Sequence, residues 1–380
     1  MRRAAALGLG SIALALGASS YAEASPQPYK HLRAGSLLRK NADPMQTIGV
    51  VDATAWWSDN PQEIAFTVNL AHSMGYNAFK TIVPVVQGIS PSAEALNDQR
   101  SCYVAQAAAA NNMDDYIDLV AQNSDGTLAP MPSTPDQINA FAGQAEDYLT
   151  VIAQCAPSKT VNMELDNEPN YYYSSPNTAM DYAKLMSFSY NALEAKAQAL
   201  GIPIKDIGLE LTTSQDPLGF LQKLKQAERA LKIKGPLMDT AAFHPYDNGD
   251  VSASQMDSTI IPAIQQTVGP VNVIDTEYAT GQPTDNLKAA AYVHAISTAA
   301  CQGVKVFFNF ELYDDQPSAK NGWHSAPYMN LPTPQTDSNQ NVVWPPSPNW
   351  TPVAKPIILA AQESIIAKAL SGNIPCPPQP

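Results

Sequence analysis

Two glutamates, Glu168 and Glu277, stand at the ends of two short apolar segments with the composition of buried strands. Glu168 lies in an Asn-Glu-Pro sequence directly after residues 160–165, and Glu277 follows residues 271–276. If both strands belong to one parallel barrel, their carboxyl ends meet at the same rim and the two side chains can face each other. Such a pair can cleave an acetal: one carboxyl group protonates the departing oxygen while the other, ionised, attacks the carbon.

The segments around these glutamates alternate between apolar strands and amphipathic helices, which is typical of a parallel sheet with helical crossovers. Seven strands are predicted, at residues 47–51, 78–86, 160–165, 207–211, 240–243, 271–276 and 304–310. Tyr116–Val120 is either a short third strand or more helix. Eight repeats, without a Gly-rich dinucleotide turn after the first strand, predict the α/β class and a single (β/α)8 TIM barrel.

A long loop rich in Pro, Asn and Trp, residues 313–352, separates the eighth predicted strand from the last predicted helix, 357–370. A structureless connection of this length is uncommon inside a compact domain and is more often functional than idle. We therefore expect the loop to lie beside the cleft.

The N-terminus has the pattern of a secretory signal. Arg2 and Arg3 precede an apolar segment, residues 4–18, and Ala22-Glu23-Ala24 fits the small-x-small rule for cleavage. The predicted organisation is a signal peptide at 1–24, an N-terminal extension at 25–44, a catalytic barrel at 45–371 and a C-terminal tail at 372–380. The expected location is secreted or periplasmic.

Charge and cysteine content narrow the classes further. The net charge of −13 disfavours nucleic acid as a partner, because little would neutralise phosphates. No segment after the signal is long and apolar enough to cross a bilayer. Four cysteines in an exported protein favour two disulfides over four buried thiols. Pairing of near neighbours in the sequence predicts Cys102–Cys155 and Cys301–Cys376.

The predicted carboxyl-terminal rim of the barrel is rich in acids, amides and aromatic rings. Its members are Asp52, Trp56, Trp57, Asn167, Glu168, His244, Tyr246, Glu277, Tyr278, Asn309 and Glu311. The set has no Ser or Cys nucleophile beside a His and no H-E-x-x-H zinc sequence. The five histidines are scattered, so neither a metal nor a cofactor is expected. Aromatic side chains suit the flat faces of sugar rings, which adds Tyr171 and Trp323 to the candidate binding residues.

Taken together, these sequences resemble the retaining glycoside hydrolases of clan A. The resemblance covers residues 45–371 and is carried by Asn167-Glu168-Pro169-Asn170, by His244-Pro245-Tyr246 and by Glu277. The Asn-Glu-Pro-Asn form is most similar to family 39, with family 5 as the second choice.

The resemblance implies a role for each matching residue. Glu168 would be the general acid/base and Glu277 the nucleophile. Asn167 would bind the sugar 2-hydroxyl, Tyr246 would hold Glu277 ionised through its hydroxyl group, and His244 would line the subsite near the bond. Trp56, Trp57, Tyr171 and Trp323 are the aromatic candidates for sugar contact.

The chain departs from the clan pattern in three places. Strand two has Lys80 as its only cation where an Arg is common, Phe310-Glu311-Leu312-Tyr313 stands where a Trp is common, and the β-sandwich frequent in family 39 is not visible.

The function implied is double-displacement hydrolysis of β-glycosidic bonds in a poly- or oligosaccharide by a monomer that needs no cofactor. Two alternatives remain open: a non-catalytic polysaccharide-binding barrel, and a transglycosidase in which a sugar displaces water.

Overall fold

The structure, a computed structural model, describes most of the chain in twelve segments. These are residues 41–52, 60–86, 91–123, 127–156, 160–213, 215–246, 253–268, 272–314, 327–329, 335–336, 342–343 and 353–376. The predicted signal peptide and nearly all of the predicted N-terminal extension lie outside the described residues.

Eight parallel strands form a closed barrel in which each strand pairs with the next along the chain and the last returns to the first. They are β1 (Thr47–Val51), β2 (Ala78–Val86), β3 (Asp114–Gln122), β4 (Val161–Leu165), β5 (Ile204–Thr212), β6 (Thr240–His244), β7 (Asn272–Tyr278) and β8 (Val306–Phe310). The prediction of a single (β/α)8 barrel is confirmed.

Helices connect the strands and cover the outside of the barrel. They are α1 (Pro61–Ser73), α2 (Pro91–Ala110), α3 (Pro135–Cys155), α4 (Pro169–Tyr172), α5 (Thr178–Leu200), α6 (Pro217–Leu231), α7 (Ala253–Val268), α8 (Asp285–Cys301) and α9 (Pro356–Leu370). Several begin with a side-chain cap followed by Pro. The side chains of Asn60 and Asp216 accept hydrogen bonds from the first turns of α1 and α6, and Thr134 forms a capping box with Gln137 at α3.

Most strands match the sequence prediction to within one to three residues at their ends, and differences at β3 and β7 bear on the site. The third is an undoubted strand of nine residues, paired along its whole length with β2, so the helical alternative for Tyr116–Val120 is wrong. The seventh was expected to end at Thr276 but continues to Tyr278, with an irregular register against β8. Glu277 is therefore part of the strand itself. The last residues of barrel strands line the active site and are often polar, which hides the end of such a strand in the sequence.

The barrel interior changes from apolar to polar toward the carboxyl ends of the strands. The inner apolar cluster consists of Val51, Ala78, Tyr116, Ala242, Ile274, Val306 and Phe308. Side chains two residues apart on a strand point to the same face. Two positions after Ala78, Tyr116 and Ala242 stand Lys80, Asp118 and His244, each fully buried. The polar layer thus lies directly on the apolar one.

The main hydrophobic core lies between the barrel and its helices, and two disulfides fasten the outer layer. Cys102 in α2 is bonded to Cys155 at the end of α3, and Cys301 at the end of α8 is bonded to Cys376. Both predicted pairings are confirmed.

Among the helices of the described residues, none has the length and hydropathy that crossing a bilayer requires.

Short strands border the long segment between β8 and α9. The strands at Tyr313–Asp314, Tyr328–Met329 and Val353–Ala354 form one small sheet, and Gln335–Thr336 pairs with Val342–Val343. The predicted loop at 313–352 thus contains paired segments, and its other residues lie outside the described part of the chain.

Candidate active site

Glu168 sits in a tight turn between β4 and α4. Asp166 and Glu168 both have left-handed backbones, with φ of 71° and 45°. For residues other than glycine this conformation costs about 1–3 kcal/mol and persists only where the surroundings enforce it. Such strain is concentrated at functional sites, and here it surrounds the acid that the sequence singled out.

Hydrogen bonds from three directions hold this turn. The Asp166 N–H donates to the Leu119 carbonyl (2.8 Å), and the Tyr182 hydroxyl donates to the Leu165 carbonyl (2.6 Å). The Asn170 side chain donates to the Thr212 carbonyl (2.9 Å) and accepts from the Thr212 N–H (3.1 Å). Neighbouring strands β3 and β5 and helix α5 therefore fix the position of Glu168.

Glu277 projects from β7 and its two oxygens have different neighbours. The Tyr246 hydroxyl donates to Oε2 in a short hydrogen bond, as the clan resemblance implied. The Lys80 ammonium lies 3.4 Å from Oε1. Glu277 is buried with only 3% of its surface exposed, so these two groups account for much of its polar environment.

His244, the last residue of β6, lies between the two glutamates. Its Nδ1 is 2.9 Å from Glu168 Oε1 and 3.5 Å from Glu277 Oε2. Those two carboxylate oxygens cannot be farther apart than the sum of the distances, 6.4 Å. Catalytic carboxyl groups about 5–5.5 Å apart permit direct attack, whereas about 6.5–9.5 Å leaves room for a water. The separation therefore falls below the range typical of inversion.

A buried charge cluster lies beneath this pair. Lys80 Nζ contacts Glu210 in a short ion pair, Glu164 at 2.8 Å and Asp118 at 3.9 Å. Burial opposes the charge on Lys80, but the carboxyl groups of Glu164, Glu210, Glu277 and Asp118 outweigh it and hold the pKa of Lys80 well above its usual value. Lys80 is therefore a cation at all ordinary pH values.

The acids around Lys80 take different protonation states. Burial and the charge of Glu210 raise the pKa of Glu164 and of Asp118 well above the usual range despite Lys80. Burial acts in the same direction on Glu210, but Lys80, a hydrogen bond with Glu164, and His244 outweigh it and hold the pKa of Glu210 well below its usual value. Of these three acids, Glu210 is therefore the one that ionises most readily.

His244 is the second cation of the site. Burial opposes its charge, but Glu277 and Glu210, together with hydrogen bonding to Glu168 and Glu210, raise the pKa of His244 well above its usual value. This shift favours the imidazolium form, in which both ring nitrogens carry a proton. Nδ1 lies 2.9 Å from Glu168 Oε1, and Nε2 faces Glu210 Oε1 at 3.4 Å.

Glu210, His244 and Glu277 have the ligand types of a metal site, with one potential ligand atom each, all within 4.8 Å of one another. The Lys80 ammonium already contacts both glutamates of this trio. A fixed cation therefore compensates these carboxylates, and the donor set does not fit a divalent ion without displacement of Lys80.

Five of the predicted site residues lie together in the structure: Asn167, Glu168, His244, Tyr246 and Glu277. Asn167 adjoins Glu168, and its buried Oδ1 has no hydrogen-bond partner among the described residues. Tyr171 is half-buried in α4, with its ring 5.0 Å from that of Tyr172. The predicted sugar contacts Trp56, Trp57 and Trp323 lie outside the described residues.

Sequence reasoning missed two residues at the centre of the site. Glu210 was read as part of an apolar strand, although an acid between Leu209 and Leu211 is a recognisable signal. The sequence did not single out Tyr172 beside Tyr171, but burial and then the charges of Glu168 and Glu277 raise the pKa of Tyr172 above its usual value. Tyr172 therefore stands close to both candidate catalytic acids.

The fold has counterparts among solved structures. A family 39 glycoside hydrolase from the gut symbiont Bacteroides cellulosilyticus WH2 aligns with a TM-score of 0.57 and 13% identity over 87% of this chain and 64% of its own. A GH5_18 protein from Bifidobacterium longum subsp. longum, solved with Manβ1-4GlcNAc, aligns with a TM-score of 0.58 and 12% identity, covering 88% of this chain and 80% of its own.

An endo-β-1,4-mannanase from Thermotoga petrophila aligns with a TM-score of 0.55 and 12% identity, covering 87% of this chain and 78% of its own. This chain has the barrel fold of these glycoside hydrolases. It spans less than two thirds of the length of the family 39 structure. No protein-family profile matches the sequence, and no protein of curated function matches it either.

Proposed function

We propose that this protein is a retaining glycoside hydrolase that cleaves β-glycosidic bonds of a poly- or oligosaccharide. The observation that carries the proposal is that Glu168 and Glu277 lie at one rim of the barrel within reach of the same imidazole nitrogen, with Glu168 Oε1 and Glu277 Oε2 at most 6.4 Å apart. Direct attack by one carboxylate requires a short separation of this kind.

The proposed reaction has two steps. Glu168 gives its proton to the glycosidic oxygen while Glu277 attacks the anomeric carbon, so the carbon–oxygen bond breaks and a glycosyl ester forms on Glu277. Glu168, now ionised, takes a proton from water, whose oxygen attacks the same carbon and releases Glu277. Asn167 would bind the sugar 2-hydroxyl, Tyr246 keeps Glu277 ionised and oriented, and Tyr171 lines the cleft.

The structural neighbours support a carbohydrate substrate. They include an endo-β-1,4-mannanase and a β-glucosidase, and one was solved with Manβ1-4GlcNAc. Aryl β-mannosides and β-glucosides, with the matching β-1,4-linked polymers, are accordingly the first compounds to test. The N-terminal pattern adds the proposal that the enzyme is exported to the periplasm or beyond.

The test replaces each glutamate by alanine and supplies azide as an external nucleophile. Glu168→Ala and Glu277→Ala should each lower hydrolysis of an aryl β-glycoside by at least about a thousandfold, because each removes a group that acts in the transition state. Azide should restore part of the turnover and give the β-glycosyl azide with Glu168→Ala. With Glu277→Ala, azide should give the α-glycosyl azide.

Glu194→Ala is the matched control, because this glutamate is exposed on α5 and its loss should leave turnover unchanged. If either candidate variant keeps wild-type turnover, that residue has no part in the mechanism. If the wild type binds polysaccharide and hydrolyses none of the panel, the protein is a binding barrel. Formation of longer oligosaccharides at high sugar concentration would identify a transglycosidase.

A further inference from the structure

Glu210 is a fully buried acid of the cluster, and its pKa is held well below its usual value. It is the third residue from the carboxyl end of β5 and has none of its surface exposed, between the apolar residues Leu209 and Leu211. Burying an ionised carboxylate is costly unless it is paired and hydrogen-bonded. A glutamate at this depth therefore requires an explanation that the proposed reaction steps do not supply.

Its contacts identify what Glu210 does. One oxygen, Oε1, forms the short ion pair with Lys80, lies 3.4 Å from His244 Nε2 and accepts from the Thr276 hydroxyl at 3.4 Å. Glu210 is thus a shared counter-ion of Lys80 and His244. His244 comes from β6, the neighbour of β5, whereas Lys80 comes from β2 and reaches Glu210 in the interior of the barrel.

Lys80 and His244 both also contact the Glu277 side chain. Lys80 lies 3.4 Å from Glu277 Oε1, and His244 Nδ1 lies 3.5 Å from Glu277 Oε2 while donating to Glu168. Each oxygen of Glu277 thus faces one cation, and each of these two cations also contacts Glu210 Oε1.

We propose that Glu210 is a positioning residue, whose buried carboxylate holds Lys80 and His244 so that each presents a charged N–H group to Glu277. The inference rests on the proposed function for its catalytic consequence. The positioning itself is a property of the resting protein. Rigid support of this type keeps catalytic groups within the narrow geometry that the reaction needs.

The proton on His244 is the part of this support that can be measured directly. The imidazole faces Glu168 after β4, Glu210 on β5 and Glu277 on β7, with Tyr246 near its own strand, and Lys80 stands across Glu210. If Glu210 loses its charge, the imidazolium loses one of its neighbouring anions while its burial remains. The midpoint of its titration should then fall.

Glu164 offers a matched comparison on the adjacent strand β4. It is also buried and also contacts Lys80, at 2.8 Å, and burial together with the charge of Glu210 raises its pKa well above the usual range. Glu164→Gln therefore keeps the shape of the cluster, and we expect it to change the charge little. Glu210→Gln keeps the shape and removes one negative charge, so the pair of variants isolates that charge.

The experiment follows the imidazole nitrogens by long-range ¹H–¹⁵N NMR between pH 5 and pH 9, with the His244 signal assigned by its loss in His244→Asn. In the wild type and in Glu164→Gln, both nitrogens should remain protonated through neutral pH. In Glu210→Gln the titration midpoint should fall by at least about one pH unit. An unchanged midpoint in folded Glu210→Gln overturns the inference.

If Glu210→Gln does not fold, Glu210→Asp tests the same idea by retracting the charge by one methylene. On an aryl β-glycoside that the wild type hydrolyses, kcat should fall by about 10–100-fold with KM changed less than about threefold, while His244 stays charged. Unchanged kcat overturns the inference.

A lowered His244 midpoint in Glu210→Gln, in a protein that hydrolyses no glycoside, would keep the positioning role and reject the proposed function.

Discussion

Asp166, two residues before Glu168, is a fully buried acid, and two hydrogen bonds stabilise its charged form. Its Oδ1 accepts from the Ala121 N–H at 3.3 Å and from the Tyr173 hydroxyl at 3.1 Å. Burial nevertheless dominates over these two hydrogen bonds and raises the pKa of Asp166 to about 7. In the unfolded chain the same group has its ordinary pKa near 3.8, so the folded protein binds this proton more tightly.

Asp166→Asn should therefore change how stability depends on pH. In the wild type the stabilising contribution of the Asp166 proton is complete below pH 4 and is lost as the pH rises through 7, by an amount on the order of 4 kcal/mol. The amide cannot ionise, so the free energy of unfolding of the variant relative to the wild type should increase between pH 4.5 and pH 8. Urea titrations at several pH values measure it.

Asp136→Asn, at an exposed acid in the first turn of α3, supplies the control, because its effect on stability should be nearly constant over the same pH range. A constant difference for Asp166→Asn as well would show that Asp166 is already ionised at pH 4.5 in the folded protein.

The sequence located the two candidate catalytic glutamates but not the charges that support them. Glu168 and Glu277 were recognisable because each ends an apolar segment beside a distinctive neighbour. Lys80 and Glu210 are 130 residues apart in the chain, and their ion pair depends on strand register and on the curvature of a closed barrel. Neither residue carries a local signal of its partner, so their contact could be found only in three dimensions.

At the level of elements, the short helix α4 is attached to β5 by one side chain. Asn170 makes two hydrogen bonds to the backbone of Thr212, one through each end of its amide. Thr212 is paired in register with His244 on β6. The Asn170 amide therefore connects the turn that carries Glu168 to β5. This strand pairs with β6, which carries His244, the hydrogen-bond partner of Glu168.

Asn170→Ala should remove this connection and loosen Glu168. We expect kcat on an aryl β-glycoside to fall by about tenfold or more with a smaller change in KM, and stability to fall by roughly 1–3 kcal/mol for the two lost hydrogen bonds. Asn191→Ala is the control, since its amide bonds only within α5 at an exposed position. A loss of stability without a loss of kcat would make Asn170 structural only.

Element prediction succeeded where strands alternate with long amphipathic helices and was weakest where polar residues enter strands. β2 and α6 have the predicted bounds, because Pro217 and an apolar periodicity mark α6 clearly. β3 was uncertain because Asp114, Asp115 and Asp118 interrupt its apolar pattern. The barrel tolerates Asp118 because it points into the polar layer of the interior, where Lys80 lies 3.9 Å away.

At the scale of the whole molecule, the two ends of the described chain meet beside the seam where β8 pairs with β1. The Ala42 N–H donates to the Ile374 carbonyl at 2.9 Å, and the Met45 N–H donates to the Ala369 carbonyl at 3.0 Å. The Cys301–Cys376 disulfide fastens the same C-terminal segment to α8. It should therefore limit opening of the barrel at its seam.

Loop closure predicts how much each disulfide contributes. The bridges close segments of 75 and 53 residues, and the chain-entropy relation gives roughly 4 kcal/mol for either one because the dependence on length is logarithmic. Cys301→Ser/Cys376→Ser and Cys102→Ser/Cys155→Ser should thus lose similar stability in equilibrium denaturation. If fastening the seam adds a native-state effect, the first double variant should lose clearly more and should show faster hydrogen exchange in β1 and β8. Equal losses with unchanged exchange in both strands would mean that the seam is stable without its disulfide.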